Sequence, residues 1–499
     1  MATTTIKVTP LLLGSVLALA GCVAAPPLVL PPKKVAVVPD FALSQIPEVP
    51  LPQIEQGHKY TLPELIDLAQ QNNPLTRIAW LESEQAALAA GMVKATYLPM
   101  ITASVIGGYQ RAKFSSELDL GPFEITPPPA HTHIKGVVPA LNLNWLLFDF
   151  GKRDALYEAA TELAFASHAK FTAAHQAIIF NVARTFFEYS TARQNTVLAE
   201  QHLANSNALK AAAQARFDEG IATSIEVAQA TQLAAQAKLV LVQRQSTERN
   251  SYQAVLASTG LDPTTTISIA TAAGRELPRF EDLPDHAALQ AALAYRPDLQ
   301  ATNAARKAAE KGIDSAIANF MPKVGLIGIA AGGSASFNIN GLGETGPSSG
   351  SQALLLGVSI PLYDAGLRRL NLREAEARAE AARQLVRKTQ NDALREMHVA
   401  VNALRSALEA HEAVTALVAA ATLTNNAATE AYKVGVGSMM LATETANGLL
   451  DASQAQSVAY SAALIASANL AFVMGQLNQA PAAQSAVQIP LNAAEILAR

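Results

Sequence analysis

The sequence predicts a mainly α-helical protein with a smaller β part, and two observations predict this class. The first is a stretch of 68 residues (219 − 151), from Lys152 to Glu219, that contains neither glycine nor proline and predicts one helix of roughly 100 Å. The second is an internal duplication, because landmarks recur at an offset of 215 residues (364 − 149). The repeated pairs are Asp149 and Asp364, Gly151 and Gly366, Phe217 and Tyr432, Gly220 and Gly435, and Gly260 and Gly475.

The upstream part of each copy repeats at a second offset. NNPLTRIAW matches YRPDLQATN, and ATYLPMI matches ANFMPKV, with Pro74 and Pro99 each 223 residues (297 − 74) before their counterparts. Since the offset falls from 223 to 215, the second copy lacks eight residues in the segment that precedes its long helix, which we interpret as a β-hairpin. A helix of 100 Å also needs lateral partners along its length, as in a barrel of helices.

The N-terminus predicts lipidation. Residues 1–21 are typical of a lipoprotein signal peptide, in which an apolar run is followed by Leu19-Ala20-Gly21 and then Cys22, the pattern of a lipobox. Cleavage before Cys22 would let it carry a diacylglycerol and an N-acyl chain, and no other cofactor is expected. An ordinary signal peptide with an incidental cysteine is the alternative. The proline-rich segment 22–59 predicts an extended, lipidated tether.

Four further segments complete the predicted organisation. In the first repeat, Thr61–Thr96 is predicted to be helical with a break at Asn72-Asn73-Pro74, and a return helix is predicted from Ile221 to Thr259. We expect the connector and the tail to form an equatorial belt partway along the helices. The segments are a first repeat at 60–260, a connector at 261–284, a second repeat at 285–476 and a C-terminal tail at 477–499.

The segment between the short and long helices changes to an alternating, strand-like pattern in both copies. Two hairpins give four strands, with connecting loops predicted at 110–134 and 331–350. Four strands cannot close a barrel, and open sheet edges do not occur in lipid; three chains with twelve strands would leave an open lumen. A soluble sandwich with one solvated face is the alternative. The apolar face predicted to contact lipid comprises Leu141, Leu143, Trp145, Leu147, Leu356, Val358, Ile360 and Leu362.

Composition argues against several other classes. The net charge of −4 and the pI near 6.2 do not indicate nucleic-acid binding. One cysteine leaves no disulfide framework, and we interpret His131 and His133 as surface-loop residues and Met439-Met440 as packing residues, so no metal site is predicted. No nucleophile–base pair, phosphate loop or HExxH motif indicates an enzyme. After the signal peptide, we expect no transmembrane helix.

The order and spacing of these motifs resemble the TolC-like outer-membrane efflux proteins. The two helix starts, the FDFG and YDAG strand-to-helix junctions and the lipobox carry the resemblance, which covers about residues 60–476 and is closest to the lipoprotein branch that serves resistance–nodulation–division (RND) pumps. The family implies a homotrimer with a 12-stranded β-barrel in the outer membrane of a Gram-negative bacterium and a 12-helix α-barrel in the periplasm. Its partners would be outer-membrane lipids, a periplasmic adaptor (membrane fusion) protein and an inner-membrane RND pump.

The resemblance also assigns the hairpin tips. The turns between each long helix and its return helix resemble the family's adaptor-docking tips, and only a turn at the end of such a hairpin reaches a partner across the periplasm. The predicted docking residues are Arg216, Phe217, Gly220, Thr223, Ser224, Tyr432, Gly435 and Ser438.

A gate is predicted beside the second tip, from Tyr432 and Glu444. The family often carries acidic residues at two positions of the second return helix, which in a trimer form rings of like charge. Glu444 keeps one of them, whereas Leu441 occupies the other, and Gly437 lies where an arginine is often found. These departures argue against a gate with two charged rings, and a solvated Glu444 without a role in gating is the alternative.

The resulting hypothesis is a passive exit duct for drugs or toxic compounds in a tripartite efflux system. The outer-membrane duct of a type I protein-secretion system has the same architecture and is the first alternative. A lipid-anchored coiled-coil spacer or adhesin without a pore is the second, and it would not need two amphipathic hairpins in matching register.

Overall fold

The computed structural model describes residues 54–55, 57–114, 118–119, 124–125, 130–272, 274–339, 344–345 and 348–477. The predicted signal peptide, Cys22, nearly all of the tether and all but the start of the tail lie outside them. Its helices are α1 (Leu62–Asn72), α2 (Pro74–Ala95), α3 (Lys152–Asp218), α4 (Ser224–Thr259), α5 (His286–Ala292), α6 (Pro297–Ala318), α7 (Leu367–Lys433) and α8 (Met439–Val473). Its strands are β1 (Lys59–Tyr60), β2 (Met100–Phe114), β3 (Leu118–Asp119), β4 (Glu124–Ile125), β5 (Ala130–Phe148), β6 (Ser268–Ile269), β7 (Lys323–Ile339), β8 (Glu344–Thr345) and β9 (Ser348–Ser359).

Two helices of equal length run through the fold. Helices α3 and α7 each have 67 residues, and the predicted bounds of α3 differ from the observed ones by a single residue. Beside the sheet, α2 packs on α3, and α6 lies between α3 and α7. Beyond these short helices, α4 packs on α3, and α8 packs on both α7 and α3. The short helices therefore provide the lateral partners that the long helices require.

The return helices end where the short helices begin, and a glycine closes each joint. At the end of α4, Gly260 has φ +74°, and an added Cβ would lie 2.7 Å from the Cα of Asn73. Gly475 occupies the equivalent place after α8, with φ +72°, and a Cβ added there would lie 2.6 Å from the carbonyl oxygen of Tyr295. The backbones approach too closely for any side chain at these two positions, which explains why this glycine occurs in both repeats.

The connector packs beside these joints. Strands β1 and β6 pair in parallel, and apolar residues of the connector, including Leu261 and Ile267, are buried against Val182 and Phe186 of α3. The hydroxyl of Tyr252, on α4, accepts a hydrogen bond from the Ile267 amide at 2.8 Å. This arrangement places the connector about midway along α3.

The sheet contains the four long strands in the order β2-β5-β7-β9, all antiparallel. The strands extend further than predicted, so within the predicted loops 110–134 and 331–350 the assignment of residues 110–114, 130–134, 331–339 and 348–350 was wrong. His131 and His133 lie within β5. Polar residues are accommodated in this strand because β2 and β7 both form backbone hydrogen bonds with it. Among the described residues, β2 and β9 each have a long strand on one side only.

Three local predictions also need correction. The return helix α4 begins at Ser224 instead of Ile221, because Thr223 is its N-cap. Leu147 lies at a β-bulge, so Phe148 is the register partner of Val324. Phe148 therefore takes the place on the apolar face that was predicted for Leu147. Ile360 and Leu362 lie beyond the end of β9, because its partner β7 begins only at Lys323, after Pro322. All three differences result from strand pairing or helix capping. The alternation of apolar and polar residues does not predict either of these.

Helix α8 departs from the expectation that no further segment resembles a transmembrane helix. By length and composition it is apolar enough to cross a membrane, and it is the one such helix among the described residues. Ala463, Leu464 and Leu470 of α8 are buried in the two clusters formed with α3 and α7. Burial within the chain covers 33% of the most apolar window of α8, so packing accounts for part of its apolar composition.

An ion pair closes each junction between a strand and a long helix. The Nε atom of Arg153 lies 3.1 Å from the carboxylate of Asp149, and both side chains are buried. The same guanidinium donates to the carbonyl oxygens of Thr96, Leu146 and Leu147 at 2.7–3.1 Å. It therefore ties the end of α2 and the end of β5 to the first turn of α3.

The second junction repeats this design with fewer contacts. Arg368 lies 2.6 Å from Asp364 and donates to the carbonyl of Pro361, and the pair is partly exposed. In both junctions the residue after the aspartate has a positive φ, 56° at Phe150 and 55° at Ala365, a conformation that costs free energy for a residue with a side chain. The ion pair and its carbonyl contacts hold the chain in this turn.

We expect Arg153→Met to destabilise the protein by about 3 kcal/mol, because it leaves a buried carboxylate and three carbonyls without their donor. Arg368→Met should cost less, since its pair is partly exposed. Arg184→Met is the control, because Arg184 and Glu188 form an exposed pair on the same helix and should contribute under about 1 kcal/mol. Thermal unfolding in detergent, followed by circular dichroism, measures the order; equal midpoints for the three variants would contradict this role of Arg153.

Candidate functional site

The two hairpin tips are built from the same local rules. Each long helix ends in a turn around a glycine in the left-handed region, with φ +79° at Gly220 and +88° at Gly435, a conformation that favours glycine. Each return helix then begins at a hydroxyl N-cap. Thr223 accepts from the amide of Glu226 at 3.3 Å, and Ser438 accepts from the amide of Leu441 at 3.2 Å.

The tips differ at the third position of the return helix. Glu226 completes a capping box with Thr223, whereas the equivalent residue in the second repeat is Leu441. The sequence analysis overlooked Glu226, although the T-x-x-E pattern after a turn could have identified it. The acidic residue at this level of the tips thus belongs to the first repeat.

Arg216 and Tyr432 join the two tips, although 216 residues separate them in the chain. Arg216 lies with its guanidinium 4.9 Å from the centroid of the Tyr432 ring, and it donates a hydrogen bond to the Tyr432 carbonyl oxygen. The ring is fully buried in a small apolar cluster that both hairpins form. The other members of this cluster are Leu209, Ala213, Ala230, Leu233, Met439 and Ala442.

The polar atoms of this contact are only partly satisfied. Among the described residues, the buried hydroxyl of Tyr432 and the Nε atom of Arg216 have no hydrogen-bond partner. Burial raises the pKa of the Tyr432 hydroxyl, the nearby carboxylate of Glu226 adds to this effect, and Arg216 opposes it. A contact with unsatisfied polar atoms is less stable than a fully paired one.

Glu444 lies apart from this contact. Its side chain is exposed on α8, and within the part of the chain that the structure describes it forms no ion pair. The structure therefore brings together Arg216 and Tyr432 of the predicted site residues and leaves Glu444 on the surface. Of the predicted methionine pair, Met439 is buried at the tip and Met440 is 68% exposed.

The tips also expose large apolar side chains. Phe217, which is equivalent to the buried Tyr432, is 42% exposed, and Thr223, Ser224 and Ser438 are exposed as well. The sequence analysis missed the large apolar residues beside both glycines, although their place in the turns was visible. We call them the tip patch: Ile221, Ile225, Val434, Val436 and Met440, all at least 65% exposed.

Five of the eight predicted lipid-facing residues lie on one face of one sheet: Leu141, Leu143, Trp145, Leu356 and Val358. On β5, Trp145 is the register partner of Leu326 of β7, and Leu326 is in turn the partner of Leu356 of β9. Leu143 and Leu141 continue the same face, because side chains alternate along a strand. Strand β7 thus connects the first-repeat set to the second-repeat set.

Comparisons with known proteins agree with this architecture. Residues 65–261 and 288–476 match the family model described as outer membrane efflux protein. The chain is 25% identical to outer membrane protein OprJ of Pseudomonas aeruginosa, over 75% of each chain. It is 26% identical to the probable outer membrane lipoprotein SilC of Salmonella typhimurium, over 75% of this chain and 78% of SilC. The fold also matches the outer membrane protein VceC of Vibrio cholerae, with a TM-score of 0.68 and 23% identity over 83% of this chain and 96% of VceC.

The family model covers both repeats and leaves out most of the connector. The relatives that match over three quarters of the chain are outer-membrane proteins by name. The chain belongs to the outer membrane efflux protein family and is an efflux channel protein of the outer membrane.

Proposed function

We propose that three copies of the chain form one duct, with a 12-stranded β-barrel in the outer membrane and a 12-helix barrel in the periplasm. One observation carries this proposal: the face of the sheet that carries Ile101 and Leu141 exposes large apolar side chains, and the sheet has two open edges among the described residues. Ile101, Val105 and Leu141 are more than half exposed on that face. Such a sheet is stable in lipid only if it closes with further strands.

The free edges can pair with each other. Among the described residues, no strand pairs with the outer edge of β9 at one side of the sheet or with the outer edge of β2 at the other. Pairing β9 of one copy with β2 of the next adds four strands per chain, so three chains supply twelve. Ile360 and Leu362, which follow β9, could then extend the ladder beside the neighbouring copy.

The helical part supports the same assembly. Tyr432 is buried between the hairpins of one chain, whereas its equivalent Phe217 faces away from that seam and is exposed. A neighbouring copy would give Phe217 the environment that Tyr432 already has. Helix α2 carries exposed apolar side chains as well, including Leu75 and Met92, which a neighbouring copy would also cover.

The tip patch is the proposed docking surface for a periplasmic adaptor protein, which in turn would connect the duct to an inner-membrane RND pump. Large apolar side chains that are exposed together mark an interaction site. The predicted docking residues Thr223, Ser224 and Ser438 surround this patch, and Gly220 and Gly435 shape its turns. The duct itself would supply a path and a seal, while the pump would supply the energy.

The gate would be the seam at the tips. Arg216 and Tyr432 hold the two hairpins of one chain together, so the hairpins must part at this contact for the duct to widen. In a trimer, three copies of Glu444 would form one ring of negative charge, which favours cations. Leu441 leaves the second ring absent.

The duct is tested by conductance of the purified protein in planar bilayers, with its mass measured under native conditions. We expect a trimer that gives small, cation-selective currents, and Glu444→Gln should lower the cation selectivity because it removes the ring charge. A monomer, or a trimer without current in every variant, would contradict the duct and favour a pore-less spacer.

The gate is tested by Tyr432→Ala, which removes the buried ring from the seam. We expect the mean conductance to rise severalfold, because the loss of a buried aromatic side chain costs about 3–5 kcal/mol and the closed tip loses that amount. Tyr432→Phe is the matched control: it keeps the ring and removes a hydroxyl without a partner, so its currents should stay close to those of the unaltered chain. Equal currents in both variants would remove Tyr432 from the gate.

Lipidation at Cys22 is also a proposal, since this residue lies outside the described residues. Cells that express the chain in the presence of labelled palmitate should incorporate the label, and Cys22→Ser should abolish it because the thiol is the acceptor. The size of the accumulated protein is the second readout, since an unprocessed Cys22→Ser precursor keeps its signal peptide. Incorporation into Cys22→Ser would contradict the assignment.

A further inference from the structure

Two lysines lie where the sheet joins the helices. Lys323 is the first residue of β7, and Lys152 is the first residue of α3, four residues (152 − 148) after the end of β5. Strands β5 and β7 are neighbours in the sheet, and their register ends with Phe148 opposite Val324. Lys323 and Lys152 therefore flank the same end of one ladder, and both are half-buried. We call them the junction lysines.

The junction lysines carry like charges close together. Burial lowers the pKa of Lys152, and the positive charge of Lys323 lowers it further, whereas Asp149 opposes both effects. The carboxylate of Asp149 is itself bound by Arg153, at 3.1 Å. Like charges that lie together are unfavourable unless an anion compensates them. An anion near the two ammonium groups would therefore be stabilised.

Two other carboxylates at this end of the sheet are already bound. Asp154 accepts a hydrogen bond from the hydroxyl of Tyr97, and Asp364 lies 2.6 Å from Arg368. Every residue within ten positions of either junction lysine is described by the structure. In the part of the chain that the structure describes, neither lysine has a salt-bridge or hydrogen-bond partner for its ammonium group. Both charges are therefore available to a solute.

The strand register directs Lys323 away from the apolar face of the sheet. Val324 and Val358 are register partners on the apolar face, and Lys323 comes one residue before Val324. Because side chains alternate along a strand, Lys323 lies on the other face, together with Ile327 and its partner Asn144. If the apolar face contacts lipid, this second face lines the lumen of the proposed duct.

We propose that Lys323 and Lys152 of three copies form a ring of positive charge at the junction of the β-barrel and the helical barrel, and that this ring favours anionic solutes in the duct. The ring rests on the proposed function, because it requires a trimer with a lumen. Rings of lysine or arginine favour anions in pores, as acidic rings favour cations. The solutes favoured here would carry carboxylate, sulfate or phosphate groups. Glu444, near the tips, has the opposite charge.

The test measures reversal potentials of the full mature protein in planar bilayers across a gradient of potassium chloride, which give the permeability ratio of chloride to potassium. The variant is Lys152→Gln with Lys323→Gln, and the charge-preserving control is Lys152→Arg with Lys323→Arg. Because a closed tip would dominate the current, each protein is recorded both in the unaltered background and together with Tyr432→Ala.

We expect the chloride-to-potassium ratio to fall roughly threefold in the glutamine variant and to stay unchanged in the arginine variant, in at least one background. The fall should be largest near 0.01 M salt, where the Debye length is about 30 Å, and should vanish at 1 M salt, where it is about 3 Å. An unchanged ratio in the glutamine variant in both backgrounds would overturn the ring, and so would an equal fall in the arginine variant.

A thiol at either of two neighbouring positions tests which face lines the lumen. Cys22 is the one natural cysteine, so Lys323→Cys and Val324→Cys are compared with the unaltered chain as the blank. A negatively charged methanethiosulfonate should lower the ratio of Lys323→Cys further, and a positively charged one should restore it. Neither reagent should change the ratio of Val324→Cys, because Val324 lies on the apolar face. A response of Val324→Cys without one of Lys323→Cys would overturn the assignment.

Two further readouts keep the ring separate from the duct. Native mass and mean conductance are recorded for each protein, and the single variants Lys152→Gln and Lys323→Gln replace the double one if that fails to assemble. A conducting trimer whose permeability ratio does not respond to these changes overturns only the ring. An unaltered chain that forms no trimer, or that passes no current in any variant, overturns the duct and the ring with it.

Discussion

The ion pair between Asp149 and Arg153 fixes how the long helix leaves the sheet, and the rest of the molecule depends on that direction. A helix of about 100 Å turns a 5° error at its root into a displacement of roughly 9 Å at its tip. A buried pair contributes little net stability by itself, but its contacts with Thr96, Leu146 and Leu147 define one geometry. The junction therefore fixes the direction of α3 more than it adds stability. It also holds the strained backbone conformation at Phe150, which an unconstrained chain would leave.

The two repeats keep the same lengths but differ at the places where they meet. The first junction is buried and the second is partly exposed, Tyr432 is buried while its equivalent Phe217 is exposed, and Glu226 is replaced by Leu441. In a ring in which the repeats alternate, the seam inside a chain and the seam between chains need not be alike. In the proposed trimer the two kinds of seam could therefore have different roles, which six identical single repeats could not provide.

The sequence predicts some parts of this molecule well, for identifiable physical reasons. The absence of glycine and proline predicted the ends of α3 to within one residue. The repeat offset predicted the positions of both turns at the hairpin tips. The contact between Arg216 and Tyr432 could not be predicted from the local sequence, because it joins residues 216 positions apart. The ends of the strands were misjudged for a related reason: polar residues around His131 join the ladder only because β2 and β7 pair with β5 on both sides. Long-range pairing overrode local composition at both places.

A single chain exposes two kinds of surface that are suited to binding, at the sheet and at the tips. Because the two surfaces differ in their chemistry, they fit different kinds of partner. The sheet offers open backbone edges and an apolar face, which require further strands and lipid. The tips offer apolar side chains on a closed backbone, with capped helices and left-handed glycines, so a partner there adds side-chain contacts without joining the fold. In the proposed duct, exchange of such a partner would be compatible with a permanent barrel. The barrel would stay in the outer membrane while a partner binds to and dissociates from the proposed docking surface, which includes Val436 and Ile221.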